Sequence, residues 1–276
     1  MAATGSSSSR AVENRTIRDF GEQWTHYDDN EGFYGSAVLF ADIVSPFLTP
    51  ADFSGRRVAE IGSGAGRIVA MMLECGAAHA FAIEPSDGHF VAQRNLARYG
   101  DRVSYLHARG EDLPAEPPFD IIVAVGVLQF IPDSKPVVDA AFAALVPGGR
   151  FFVWLYAKEG TTLCRATLGS LRAIGRMLPH AALVAMVRIL DVPLAIYMRL
   201  CRVLPLPLRD YLTNVLARFT SEKRRLVIYD QLNPTHAYFH TRAEAEHLLV
   251  GSGFVGVRLH HRRGYSWSVI GCKPEE

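Results

Sequence analysis

At 276 residues, with 49% hydrophobic and 21% charged side chains, the chain is too apolar for disorder and long enough for one large α/β domain plus an elaboration. Its four cysteines, at 75, 164, 201 and 272, form no C-x-x-C pair and no tight framework, and no apolar secretory stretch opens the sequence. These features exclude a disulfide scaffold and lead us to expect a reducing, cytoplasmic setting. The net charge of +1 is unevenly placed: residues 160–225 hold ten arginines and Lys223 against Asp191, Asp210 and Glu222, a surplus of +8 that leaves −7 elsewhere.

The first residues, ending Ser6-Ser7-Ser8-Ser9-Arg10, are small and polar, so 1–15 are expected to be a disordered tail. From about 56 to 156, short β-rich apolar runs alternate with helical stretches, the signature of βαβ units and a parallel sheet. Predicted strands cover 57–61, 79–83, 103–107, 121–125 and 150–155, with helices over 68–75, 89–99 and 135–145. The last helix is stopped by Val146-Pro147-Gly148-Gly149. Thr241-Arg242-Ala243-Glu244 reads as a capping box opening a helix through Val250, and strands over 254–260 and 266–272 bring the sheet to seven.

Glu60-Ile61-Gly62-Ser63-Gly64-Ala65-Gly66-Arg67 sits between a predicted strand and a predicted helix. Glycines there allow a sharp turn and let a ligand approach N–H groups at the positive end of a helix. A dinucleotide fingerprint needs Gly or Ala where Arg67 stands, so the run is G-x-G-x-G, and by itself a tight turn with no ligand remains open. Glu84 ends the second predicted strand, 18 residues after Gly66, where a carboxylate can accept bonds from ribose hydroxyls.

With Val58 to Gly66, Ala82-Ile83-Glu84-Pro85-Ser86, Phe119 to Val123 and Leu145 to Phe151 in this order and spacing, residues 57–157 resemble the class I, Rossmann-like S-adenosylmethionine-dependent methyltransferases, in particular the type 11 small-molecule group. The resemblance implies an α/β fold: a doubly wound, mostly parallel seven-stranded sheet with helices on both faces and the last strand antiparallel. Residues 16–158 and 241–276 would form that domain, and 159–240 a helical lid or acceptor-binding insertion between strand 5 and the next helix. It further implies S-adenosylmethionine as cofactor. Glu60 and the Gly62, Ser63, Gly64 and Gly66 backbone would hold its methionine moiety, and Glu84 with Pro85 the ribose. Gly110 and Glu111 would belong to the adenine loop, and Val125 would border the transferring methyl group. The family usually has Asp where this chain has Arg109, which leaves Glu111, Asp112 or a backbone carbonyl to accept from adenine. Gln129 stands where a His is common and has no titrating role. Trp24, Tyr27 and Tyr34 are candidates to cover the cofactor or to pack in the core.

The basic block 160–225 is apolar, yet Arg172, Arg176, Arg188, Asp191, Arg199 and Arg202 interrupt any run of about 18 uncharged residues, so no membrane span is expected. Arg165, Arg172 and Arg176 at helical spacing fit an amphipathic helix on an anionic bilayer, peripheral on the inner membrane surface; a lid over the active site, or a homodimer face, is the competing reading. His236 and His240 are candidate acid–base residues for an acceptor that must lose a proton, with structural roles as the alternative. No metal-ligand spacing occurs among histidines and acids. The leading expectation is methyl transfer to a small, hydrophobic or lipid-like acceptor. A nucleic-acid methyltransferase is disfavoured because Val125-Gly126-Val127-Leu128 replaces an Asn/Asp-Pro-Pro-Tyr type motif. A catalytically silent partner subunit is disfavoured by the intact Glu60, Gly62, Gly64 and Glu84.

Overall fold

The structure, a computed structural model, describes residues 3–175 and 177–275, with side chains from residue 9 onward apart from 163, 164 and 176. Seven strands run β1 (Arg57–Ile61), β2 (His79–Ile83), β3 (Val103–Leu106), β4 (Phe119–Val125), β5 (Leu145–Tyr156), β6 (Val255–Arg262) and β7 (Ser266–Cys272). Their order in the sheet is β3-β2-β1-β4-β5-β7-β6. The pairs from β3 to β5 are parallel, whereas β7 runs against both β5 and β6. Because β1 lies between β2 and β4, chain order reverses there, and the crevice beyond the carboxyl ends of β1 and β4 is the place where this kind of sheet receives a ligand.

Both faces of the sheet are covered, which is why β1 and β4 are nearly continuous apolar runs rather than alternating ones. One face packs α2 (Ala37–Val44), α3 (Arg67–Glu74) and α4 (Gly88–Leu96) over Val58, Ile121 and Phe152; the other packs α5 (Lys135–Ala144) and α10 (Arg242–Val250) over Ile122, Phe151 and Val269. The capping box at α10 forms as expected: Thr241 accepts from the Glu244 N–H, and Glu244 accepts from that of Thr241. Val146-Pro147-Gly148-Gly149 ends α5 but is taken up into β5 through a shift in register, with Leu145 opposite Phe119 and then Arg150 opposite Ile121. The left-handed Gly148 (φ 74°) supplies the irregularity that a breaker motif promises.

The disordered-tail expectation for 1–15 needs correcting, since α1 (Ala3–His26) begins at residue 3; residues 1 and 2 lie outside the described residues. Composition misled because the helix is fixed by tertiary contact rather than by its own polar sequence. Thr16, Phe20, Gln23 and Trp24 are carried on the protein side of α1, and Arg109 pairs with Glu13 at 2.7 Å.

Among the described residues between β5 and α10 lie four α-helices, α6 (Thr162–Gly175), α7 (His180–Val203), α8 (Arg209–Asn214) and α9 (Ser221–Leu232), and a 3-10 turn over Leu216–Arg218. Leu183 and Val187 of α7 pack on Leu226, Tyr229 and Leu232 of α9, together with Tyr27 and Tyr34 from the N-terminal segment. Asp191, buried on α7, accepts two bonds from Arg224 at 2.5 and 2.9 Å and one from Arg225 at 3.3 Å. By length and composition α7 is long and apolar enough to cross a membrane, with a mean hydropathy of 1.8 over 18 residues. The sequence expectation that charges interrupt any uncharged run of that length holds, since Arg188 and Asp191 lie within the helix; Asp191 is buried and neutralised by Arg224 and Arg225, whereas Arg188 is exposed.

Candidate functional site: two cavities at the ends of β1, β4 and β5

The glycine turn leaves β1 and starts α3, and its backbone is tied to β2. Gly62 and Ser63 donate their N–H groups to the Ile83 carbonyl at 2.8 and 3.1 Å, and Gly64 donates to Glu84 Oε2 at 2.8 Å. Gly64 has φ +50°, and a Cβ there would lie 2.7 Å from the Trp24 indole; Gly66, left-handed at φ +82°, caps α3 and abuts Leu96. Both positions therefore require glycine for conformation and for space.

Glu84 is buried at the end of β2, where its other oxygen accepts from the Ser86 N–H at 3.0 Å and the Ser86 hydroxyl at 2.6 Å. Burial raises its pKa against these bonds. With Gly62, Pro85, Gly110 and Glu111 it lines a cavity of ≈ 90 Å³, closed on the outer side by Glu13, Thr16, Ile17, Phe20 and Trp24, one face of α1. The predicted ribose, glycine-turn and adenine-loop residues are thus brought to one cleft.

The Arg109 departure has a structural explanation. Its guanidinium pairs with Glu13 and donates to Asn14 of α1, so it fastens that helix over the side of the cleft lined by Gly110 and Glu111. Glu111, a wall of the cleft, faces Arg10 at 3.8 Å. Gly110 is packed so closely on Val137 and Ile61 that a Cβ would stand 2.7 and 2.8 Å from them.

Glu60 lies elsewhere than the cleft wall: it is buried beneath α3, accepts from the Val69 N–H at 3.1 Å, and is pushed by burial up to a pKa of about 8. Ser63 is buried with its hydroxyl unpartnered.

A second, larger cavity of ≈ 280 Å³ adjoins the first, and both are lined by Phe20, Trp24 and Gly126. Val125 and Tyr34 belong to this larger one. Tyr34 is stacked under the Arg67 guanidinium at 4.2 Å, whereas Tyr27 packs in the helical core against Tyr229. The remaining walls come from β5 (Trp154 and Tyr156), the β6–β7 turn (Tyr265) and the inserted helices (Tyr211, Phe219 and Asp230). Gln129 is fully buried beyond Gly126 on the Leu128–Phe130 turn, and neither of its amide atoms has a partner.

The candidate histidines sit differently. His240 is buried where its backbone bridges Tyr156 and Lys158, and burial lowers its pKa to about 4. The wall of the larger cavity is formed at this point by Phe239, with neither His236 nor His240 in it. Sequence reasoning passed over Asp230, Tyr156 and Gln23, which do line it. Asp230 stands in the last turn of α9 directly after Tyr229, and an acid beside an aromatic there was the available signal. Among the described residues, no group of three or more His, Cys, Asp or Glu is placed to hold a metal ion.

A family model described as a methyltransferase domain matches residues 59–151. The ubiquinone biosynthesis O-methyltransferase of Aromatoleum aromaticum is 32% identical over 133 residues, covering 47% of this chain and 56% of that protein. That of Xylella fastidiosa is 34% identical over 129 residues, covering 46% and 52%. The chain thus spans about half the length of the curated relatives it matches. In fold, it resembles the 1,6-didemethyltoxoflavin-N1-methyltransferase of Burkholderia thailandensis, with a TM-score of 0.52 at 17% identity over 96% of this chain and 89% of the other. Residues 59–151 thus match a methyltransferase domain, and the seven strands in this order, with the glycine turn and the carboxylate after β2, have the fold of the class I S-adenosylmethionine-dependent methyltransferases.

Proposed function

We propose that the protein transfers a methyl group from S-adenosylmethionine to a small, hydrophobic or lipid-like acceptor by in-line displacement at the sulfonium. The observation that carries this reading is the junction of the two cavities at Gly126, Phe20 and Trp24. A cofactor laid along the glycine turn toward Glu84 places its methionine end at that junction, and an acceptor in the aromatic cavity meets it there. Methyl transfer needs little beyond such alignment, which converts a bimolecular encounter into a positioned one. The aromatic walls exclude water and favour an apolar acceptor. The O-methyltransferase names of the relatives support an oxygen acceptor. Incubating cell extracts with isotope-labelled cofactor and following the label by mass spectrometry tests this; we expect a labelled, organic-extractable small molecule, and label confined to nucleic acid would refute it.

A membrane-facing role for the insertion is favoured by one specific feature. Ile189, Val192, Ile196, Leu200 and Val203 recur along one side of α7, each 44 to 76% exposed, with Arg188, Arg199 and Arg202 exposed beside them. An apolar stripe rimmed by arginines suits a helix lying in the surface of an anionic bilayer, and the Asp191 tie to α9 holds the opposite side in the protein. The arginines singled out on α6 contribute less: Arg172 donates to the Gln231 carbonyl at 2.8 Å, Arg165 lies over Phe239, and Arg176 is outside the described residues. Flotation on phosphatidylglycerol vesicles should be lost when Ile189, Val192 and Ile196 are all changed to Glu. Unchanged flotation, or none by wild type, would refute this role.

A further inference from the structure

The larger cavity contains one carboxylate whose hydrogen bonds fix what it can do. Asp230 of α9 accepts from Tyr156 Oη of β5 at 2.8 Å through Oδ2, and from Gln23 Nε2 of α1 at 3.2 Å through Oδ1. Gln231 Nε2 donates to the same Tyr156 hydroxyl at 2.5 Å, which occupies a lone pair of that oxygen and commits its proton to Asp230. Each carboxylate oxygen then keeps a free lone pair. Two more groups on the wall lack partners: Gln23 Oε1, an acceptor on a side chain with no solvent exposure, and Trp154 Nε1, a donor. Buried polar atoms without partners are costly, and their gathering on one cavity wall points to a ligand that both donates and accepts.

We propose that Asp230 is the general base of this site and that the acceptor presents it with a hydroxyl on an aromatic ring. This rests on the methyltransferase reading above and adds the acceptor's chemical class and a catalytic residue. Tyr156, Gln231 and Gln23 act as positioning residues that hold the carboxylate against rotation. In the transfer, the acceptor O–H bond breaks and its proton passes to Asp230, the oxygen forms the new bond to the methyl carbon, and the carbon–sulfur bond breaks with its electron pair going to sulfur. The sulfonium becomes a neutral thioether. An aromatic hydroxyl is acidic enough for a carboxylate to assist, and the ring matches the walls formed by Trp24, Trp154, Phe239 and Tyr265. Burial raises the basicity of Asp230 above that of an ordinary aspartate, Arg67 and Arg172 opposing it from α3 and α6. Tyr34 and Tyr211 are the other titratable groups turned toward it, and burial holds both neutral.

The test compares wild type with Asp230→Asn, which keeps shape and can still accept from Tyr156. S-adenosylhomocysteine binding is measured first on both, because a wild type that fails to bind it refutes the methyltransferase reading rather than this one. In the presence of that ligand, 4-nitrophenol should bind wild type at least about tenfold tighter than Asp230→Asn at a pH where the free phenol is protonated, as for a lost charge-assisted hydrogen bond. Methylation of catechol should fall by about 10²–10³-fold in the variant, while 4-nitrocatechol, which ionises unaided, should lose less than about fivefold. Asp230→Glu should recover part of the catechol rate. Equal losses for the two catechols would reduce Asp230 to a structural role and overturn the proposal, as would a wild type that binds S-adenosylhomocysteine yet neither binds nor methylates these phenols.

Discussion

The two cavities are built on opposite principles. The proposed cofactor cleft is made of backbone: a left-handed glycine turn, N–H groups at the start of α3, and one carboxylate that accepts three bonds, from Gly64 and twice from Ser86, within residues 64–86. The proposed acceptor cavity is made of side chains drawn from α1, the strand ends and the inserted helices, and its hydrogen-bonded pairs Tyr156–Asp230, Gln231–Tyr156 and Gln23–Asp230 are 74, 75 and 207 residues apart in sequence. The difference teaches that the first site constrains local sequence, whereas the second constrains only the final packing and can be rebuilt around another acceptor.

The contrast breaks hardest at Gly64. Valine there meets both the left-handed backbone and the Trp24 ring, so Gly64→Val should lose S-adenosylhomocysteine binding by more than about 100-fold while circular dichroism still reports an α/β fold. A folded variant that binds normally would show that the turn is merely structural.

Next in size is Glu60, which burial raises to a pKa of about 8. Its pKa of about 8 in the folded chain exceeds the unfolded value, so the folded state keeps a proton that the unfolded state has lost; this coupling costs stability progressively as pH rises from the ordinary carboxylate range toward 8. Glu60→Gln removes the coupling. It should stabilise the ligand-free protein near pH 7–8 by on the order of 2–3 kcal/mol and flatten the pH dependence, read by denaturant melts. A variant as pH-sensitive as wild type would contradict this.

His240 carries the opposite sign at smaller size. Its pKa, lowered to about 4, means stability is fully present above the unfolded value and is lost as pH falls toward 4; His240→Gln should be less acid-sensitive by about 1–2 kcal/mol near pH 5. Smallest is Arg109→Ala, which unfastens α1 from the cleft and should speed S-adenosylhomocysteine dissociation by roughly three- to tenfold in stopped flow, the yield of a partly exposed ion pair. No change in that rate would mean that α1 is held by Phe20 and Trp24 alone.

These predictions fall unevenly on what the sequence discloses. β1, β2 and β7 are legible to the residue because central strands must be continuous apolar runs and glycines must punctuate them. The glycine turn and Glu84 are legible because their chemistry is local. α1 is not, since its polar first turns carry no periodicity and its hold on the cleft runs through Arg109, nearly a hundred residues away. Asp230 is hidden for the same reason: its significance lies in Tyr156 and Gln23, and nothing within α9 signals either partner. Histidine ordinarily titrates near neutrality, which is what makes it a candidate acid–base residue from sequence, yet burial has moved His240 far from that range.

The central claim, that the cleft beside Glu84 is a nucleoside-cofactor site opening onto an acceptor cavity, is tested most directly by calorimetric titration of S-adenosylhomocysteine into wild type and Glu84→Ala. The account predicts one molecule bound per chain and a loss of about 1–3 kcal/mol in the variant, the cost of removing charge-assisted bonds to the ribose. Absence of binding by wild type, or equal affinity in the two proteins, would contradict it.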